Sequence, residues 1–263
     1  MLQLKKKTEK VIALAQKWYQ ENSMKNNIGK TEVMVINRNK KNESLKVNVI
    51  DEGKKITIVS GICLKILGVT LDSKLNWKKQ VNEVKRKALN TTRNVHRINH
   101  LLPTQQRINL YNALISPHFN YADVVWGGCS KKESLSLQKV QNFAARSITG
   151  NNKMDSATES LKKLKFLNLK QRRTIHETVF THKAILLKNS DNLNEEYRQY
   201  VPQTNTRYAN KGKLNIPKHK TTKFEKSPLY RTITAWNQCP DNLPQENVKQ
   251  HKTNLQNLLI SQI

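Results

Sequence analysis

The chain has 263 residues and carries 47 Lys and Arg against 19 Asp and Glu, a formal net charge of +28 with pI near 10.1. That length allows one large domain or two ordinary ones with a real core. So basic a chain repels itself unless polyanions are present, which points to phosphate backbones as partners. Hydrophobic residues make up 37% and aromatics 6%, so the core should be modest and mostly aliphatic.

Cys63, Cys129 and Cys239 are far apart and form no Cys-x-x-Cys pair, which argues against a zinc knuckle or a disulfide framework. No apolar run approaches the roughly 20 residues of a membrane helix. The N-terminus, "MLQLKKKTEK", is charged where a signal peptide would be apolar. The expectation is an intracellular protein, nuclear or cytoplasmic, not secreted and without a membrane partner.

In chain order, residues 8–20 predict an amphipathic helix, with Val11, Leu14, Ala15 and Trp18 at helical spacing. Strand-like pieces follow at 32–37, 45–50, 54–59 and 63–71. The turn signal Asp51-Glu52-Gly53 pairs the second and third into a hairpin. From residue 76 to 99 a helical pattern takes over. Trp77, Val81, Val84, Ala88, Val95 and Ile98 share one sector, and Lys79, Arg86, Arg93 and Arg97 share another. Pro103 and Thr104 start a second helix with Ile108, Tyr111, Leu114 and Ile115 inward, ending before Pro117. A third spans 132–149, with Leu137, Val140, Ala144 and Ile148 inward and Gly150 as terminator. Helical pattern continues to about 188. Residues from 189 to about 227 read as extended or loosely ordered. An apolar patch, "LYRTITAWNQCPDNLP", and a short helix over 245–260 close the chain.

Most chemical motifs fail on inspection. Gly29-Lys30-Thr31 lacks the glycine that a phosphate-binding loop needs at position 24, which is Met24. His96 and His100 lie one helical turn apart, but Arg97 beside the first would repel a metal ion. No Asp-Asp or Asp-x-Asp pair occurs, so two-metal phosphoryl chemistry has no carboxylates to hold its ions. No Gly-x-Ser-x-Gly positions a nucleophile. Catalytic residues and metal ligands are therefore expected to be absent, and no cofactor is expected. What remains is the stripe Lys79, Arg86, Arg93 and Arg97. Its spacings of seven, seven and four fit a helix face that tracks a phosphate backbone, or one that is merely solvated.

The order of several segments resembles a known family. "LAQKWYQENSM" followed by "KTEVMVI", then "LKILGVTLDSKLNW", "RINLYNALISPHFNYADVVWGG", "LQKVQNFAARSITG", "LKKLKFLNLKQRR" and "YRTITAWNQCPDNLP" resemble, in the same order, the C-terminal part of the reverse transcriptase of non-LTR (LINE-like) retrotransposons of the jockey and CR1 types. The chain departs from the family at Ile66, where an aromatic is usual, and at Cys239, where Leu is common. The resemblance implies an α+β, mostly α chain: a palm remnant with a primer-grip-like region over 1–75, a helical thumb over 76–150, and a helical, partly irregular extension over 151–263. It implies that the catalytic aspartates, with their Mg²⁺, belong to a palm segment lying before residue 1. Partners would be RNA, DNA or an RNA–DNA hybrid, and the missing palm and fingers.

In that alignment Tyr121-Ala122-Asp123 is a thumb connection and not a metal site. Tyr121 and Trp126 pack helices together, and Asp123 sits at a variable position. Gly68, Trp77, Gln141, Arg146, Trp236 and Pro244 are the other motif positions. Arg172 and Arg173 join the four stripe residues as candidates for backbone contact. Two alternatives stay open beside the polymerase fragment: a nucleic-acid-binding protein retained by a host, and a remnant without function.

Overall fold

The computed structural model describes residues 2–36, 44–51, 53–186, 191–204, 211–240 and 247–262. The fold is α+β and mostly α, with two antiparallel two-stranded sheets. The chain divides into two compact units, 1–79 and 80–263.

In the first unit, α1 (Leu2–Glu21) lies on the hairpin of β1 (Lys46–Asp51) and β2 (Lys54–Val59). Their small core is Ile28, Leu45, Val47 and Val49, with Ile12 and Ile58 against it. Glu9 accepts from the Asn48 N–H at 2.8 Å, and Gln16 donates to the Ile50 carbonyl at 2.9 Å. The register Asp51↔Lys54 pairs the two strands as the turn signal predicts, with Gly53 at φ +78°. The helix is turned differently from expectation. Val11, Leu14 and Trp18 are more than half exposed, and Ile12 faces the hairpin instead. Periodicity alone finds an apolar face but not what covers it.

Two other strand expectations need correction. The piece at 32–36 contributes only a single bridge, Met34 to Gly61; Asn37 lies outside the described residues. Residues 63–71 are not one strand. They form β3 (Cys63–Ile66) and β4 (Val69–Asp72), paired antiparallel. The turn between them is Leu67-Gly68, with φ of +46° and +83°, the signature of a type I′ turn. A leucine in that turn hides it from sequence rules, because Asn or Gly is the usual first residue. The Asp72 carboxylate then accepts from the N–H groups of Lys74, Asn76 and Trp77 and sets the path into the next helix.

The second unit is helical. The long helix α2 (Lys78–Ile98) leads into it. The next stretch is one nearly continuous rod of α3 (Thr104–Leu110), a π-helical turn (Tyr111–Ile115) and α4 (Ser116–Asn120). The expected stop before Pro117 does not occur. The wide turn comes just ahead of the proline, which then sits in the first turn of α4, where it lacks only an N–H that would be orphaned anyway. Tyr111 and Ile115 are buried as expected, but Leu114 is 47% exposed, as is Ile98 at 43% on α2.

The short α5 (Asp123–Trp126) precedes α6 (Lys131–Thr149), which opens with a Ser130–Glu133 capping box and closes at Gly150, φ +76°. Leu137, Val140, Ala144 and Ile148 are all buried, as its pattern predicts. The following helical stretch breaks at Lys165, φ +54°, into α7 (Ala157–Lys163) and α8 (Leu169–Leu186).

Gln141 of α6 is fully buried and donates to the Leu167 carbonyl at 2.9 Å and the Tyr111 hydroxyl at 3.2 Å, which ties α6 to the loop before α8.

Between 189 and 227 the described residues, 191–204 and 211–227, are more ordered than the composition suggests. They include α9 (Asp191–Arg198) and the short α10 (Thr222–Glu225). Tyr197 and Leu214 join Ala184, Ile233 and Trp236 in one core. Ile233 and Trp236 come from α11 (Pro228–Asn237), where Trp236 Nε1 donates to the Gly212 carbonyl at 2.8 Å. The last helix, α12 (Val248–Ser261), adds Leu255 to a cluster with Leu167 and Ile175. Pro244 and residues 205–210 lie outside the described residues. Among the described residues no helix is long and apolar enough to cross a membrane.

Candidate nucleic-acid interface

Helix α2 has no Gly or Pro and no long β-branched run, so little opposes 21 residues of helix. Val81, Val84, Ala88, Thr92 and Val95 recur at steps of three and four and are all buried. The Thr92 hydroxyl, inside the packed face, donates back to the Ala88 carbonyl at 2.7 Å. At the C-terminal end His96 Nδ1 lies 2.7 Å from the Ser147 hydroxyl of α6, and Asn99 bonds the Ser147 carbonyl at 2.9 Å. His96 thus joins helix to helix and does not pair with His100. On the same flank, burial and then the Lys87 charge push the His118 imidazole below its ordinary range.

With this face inward, Arg86, Arg93 and Arg97 are turned out. All three are exposed, as is Lys79 in the first turn of α2. At 100° per residue they fall within about 40° of each other, roughly opposite Val84, Ala88 and Val95. Arg86 to Arg97 spans about 16 Å at 1.5 Å per residue. The same side carries Asn82, Asn90 and Asn94, also exposed. It is a straight row of delocalised cations with amide donors between them, on a backbone that packing holds rigid. Such a surface can bond phosphate oxygens without reading bases.

The two other arginine candidates are placed differently. Arg173 is buried at 8% exposure, its guanidinium 5.3 Å from the centre of the Trp126 ring and its Nη1 directed at the Gly127 carbonyl. Arg172 is half-buried and bonds the Ser116 hydroxyl of α4. Both hold helices together and leave the set of backbone-contact candidates.

Around Arg173 lies a polar cluster that sequence reasoning did not find. Asp123 is 5% exposed, with its carboxylate 2.6 Å from His176 Nδ1. Arg231 of α11 places Nε and Nη2 at 2.9 and 2.7 Å from Glu177 Oε1, and also donates to the Val124 carbonyl at 2.6 Å. Burial pushes the Glu177 carboxyl above its ordinary range, and Arg231 pulls the other way. The cluster ties α5, α8 and α11 together. One signal was available: Arg173, His176 and Glu177 stand at i, i+3 and i+4, one face of α8, a spacing too polar to read as core.

Trp126 is fully buried, as expected, and its Nε1 donates to the Tyr121 carbonyl at 2.8 Å. Tyr121 itself is 56% exposed, so its ring does not pack helices together; its backbone does the anchoring. Ala122, at φ +51°, turns the chain so that Asp123 points inward. Arg146 donates to the Asp155 carbonyl at 2.9 Å and pins the loop after α6. Gly68 is the β3–β4 turn, and Trp77, 8% exposed, closes the Asp72 turn at φ +63°.

Among the described residues no three His, Cys, Asp or Glu side chains gather as a metal ion would require. Compared with known protein families, with curated proteins and with solved structures, the chain matches none.

Proposed function

We propose that the chain is the thumb and following region of a retroelement RNA-directed DNA polymerase. It binds template–primer nucleic acid through the phosphate backbone and carries no chemistry of its own. The observation that supports this is the row Arg86, Arg93 and Arg97, exposed along one side of α2 opposite its buried face. A net charge of +28 supplies the long-range attraction, and the row supplies a place for it to act.

The test is binding of a blunt RNA–DNA hybrid by fluorescence anisotropy. Arg86→Gln/Arg93→Gln/Arg97→Gln should weaken binding by at least about tenfold near physiological salt, with the circular dichroism spectrum unchanged. Unaltered affinity would overturn the assignment of the interface. In the same preparation, template–primer extension with Mg²⁺ or Mn²⁺ should be absent. Extension that persists through repurification would overturn the reading of Asp123.

A further inference from the structure

A second basic surface lies in the same unit and is shaped for a different ligand. An open cleft of about 1040 Å³ is walled by α6 on one side and α8 on the other, with Leu161 and Phe166 among its lining residues. A shallower groove of about 620 Å³ runs along the outside of α6. The two share Lys131, Leu135, Gln138 and Asn142, which recur at steps of three and four on one face of that helix. The cleft and the groove therefore adjoin along this face, past the exposed Leu135 side chain, and make up a channel open to solvent.

The channel is strongly one-signed. Among the described residues its lining holds Lys131, Lys132, Lys139, Lys170, Arg173 and Arg231 against one carboxylate, Glu177, which is already held by Arg231. The four lysines are exposed and the two arginines are engaged inside, so the mobile cations stand along the rim. Between the walls lie the amides of Gln138, Asn142 and Gln171 and the apolar carbons of Leu135 and Leu161. A phosphate duplex needs only a convex row of cations, which α2 has. A concave channel with cations at the rim and apolar carbon and amides within suits a chain whose bases are unpaired. Such bases can leave solvent for the channel while their phosphates stay at its edge.

We propose that this channel along α6 binds single-stranded nucleic acid, with phosphates on Lys131, Lys139 and Lys170 and bases entering the cleft beside Leu135. The proposal rests on the nucleic-acid reading above, and it assigns the unpaired strand to a surface separate from α2.

The test uses the full chain and two labelled probes, oligouridylate and the blunt hybrid. Lys131→Gln/Lys139→Gln/Lys170→Gln should weaken oligouridylate binding by at least about tenfold and leave the hybrid within about twofold. Arg86→Gln/Arg93→Gln should do the reverse. These are surface changes, so folding is checked by circular dichroism. Leu135→Trp gives a second readout: oligouridylate should quench the added fluorescence, and inorganic polyphosphate or polyglutamate should not. If hybrid binding depends on α2 but oligouridylate binding ignores the lysine variant, the channel is wrong and the duplex reading survives. If neither probe binds, both fall. Equal quenching by polyphosphate or polyglutamate would mean a general polyanion or acidic-protein site, and would overturn the entry of bases.

Discussion

The Asp123 carboxylate lies 2.6 Å from Nδ1 of His176 at the buried junction of α5 and α8. The pair gives Asp123 a job unrelated to metal. Asp123→Ala removes the partner of the His176 imidazole, whose side chain is 23% exposed, at a cost of about 1–3 kcal/mol for the lost hydrogen bond. The melting temperature should therefore fall by about 2–12 °C. Asp123→Asn keeps an acceptor for the imidazole and should cost less, about 1 kcal/mol. Asp123→Leu/His176→Leu should destabilise by less than the sum of the single changes. Thermal unfolding of these variants and of the Asp123→Leu and His176→Leu single variants checks this. Additive costs would mean that the two residues do not act together.

Gly127 and Gly128 follow Trp126, and neither has room for a side chain. A Cβ on Gly128 would fall inside van der Waals contact of the Lys226 carbonyl oxygen and 2.7 Å from an Arg231 nitrogen. The backbone oxygen cannot swing away, so Gly128→Ala should cost about 1–3 kcal/mol, as overpacking does. The same change at Gly53 meets open space but a φ of +78°, so its cost is conformational and about 1 kcal/mol. Denaturant midpoints measure both. Gly128→Ala as benign as an ordinary surface change would contradict the close packing of α5 on the Lys226 turn.

Tyr197 is buried in the core shared by α9 and α11, with its hydroxyl 2.6 Å from Thr232 Oγ1. Burial pushes its pKa up to about 12. The folded state thus holds the proton longer than the unfolded state, which loses it near 10. The contribution is whole below pH 10 and is lost as pH rises through 12, by up to about 3 kcal/mol. Tyr197→Phe cannot ionise, so the stability gap between wild type and variant should close or reverse between pH 10 and 12. Urea titrations across that window decide it. A gap independent of pH would mean that the hydroxyl is solvated.

How far the sequence could be read depended on whether a pattern faced one neighbour or several. Helix α6 was legible because four apolar residues meet a single core and Gly150 ends the helix in the left-handed conformation that glycine favours. The β1–β2 hairpin was legible for the same local reasons. Helix α1 was found, but its buried side was not, because Glu9 and Gln16 bond the hairpin backbone while Val11 and Trp18 stay exposed. Tyr197 and Leu214 were missed because two apolar residues in a polar stretch carry no period. At the candidate interface the α2 row followed from spacing alone. Arg173 did not: a guanidinium stacked on Trp126 and one facing a phosphate look alike in sequence.

The central claim is that the α2 row, and not diffuse charge, receives the nucleic-acid backbone. The most direct measurement is the salt dependence of binding to one RNA–DNA hybrid, compared between two double variants. Arg86→Gln/Arg93→Gln removes two charges from the row, and Gln keeps helix propensity, so the fold should be little affected. Lys218→Gln/Lys220→Gln removes two exposed charges from a different part of the second unit. The account predicts that the slope of log K against log salt falls by about 2 for the first variant and much less for the second. Equal slopes for the two would contradict it.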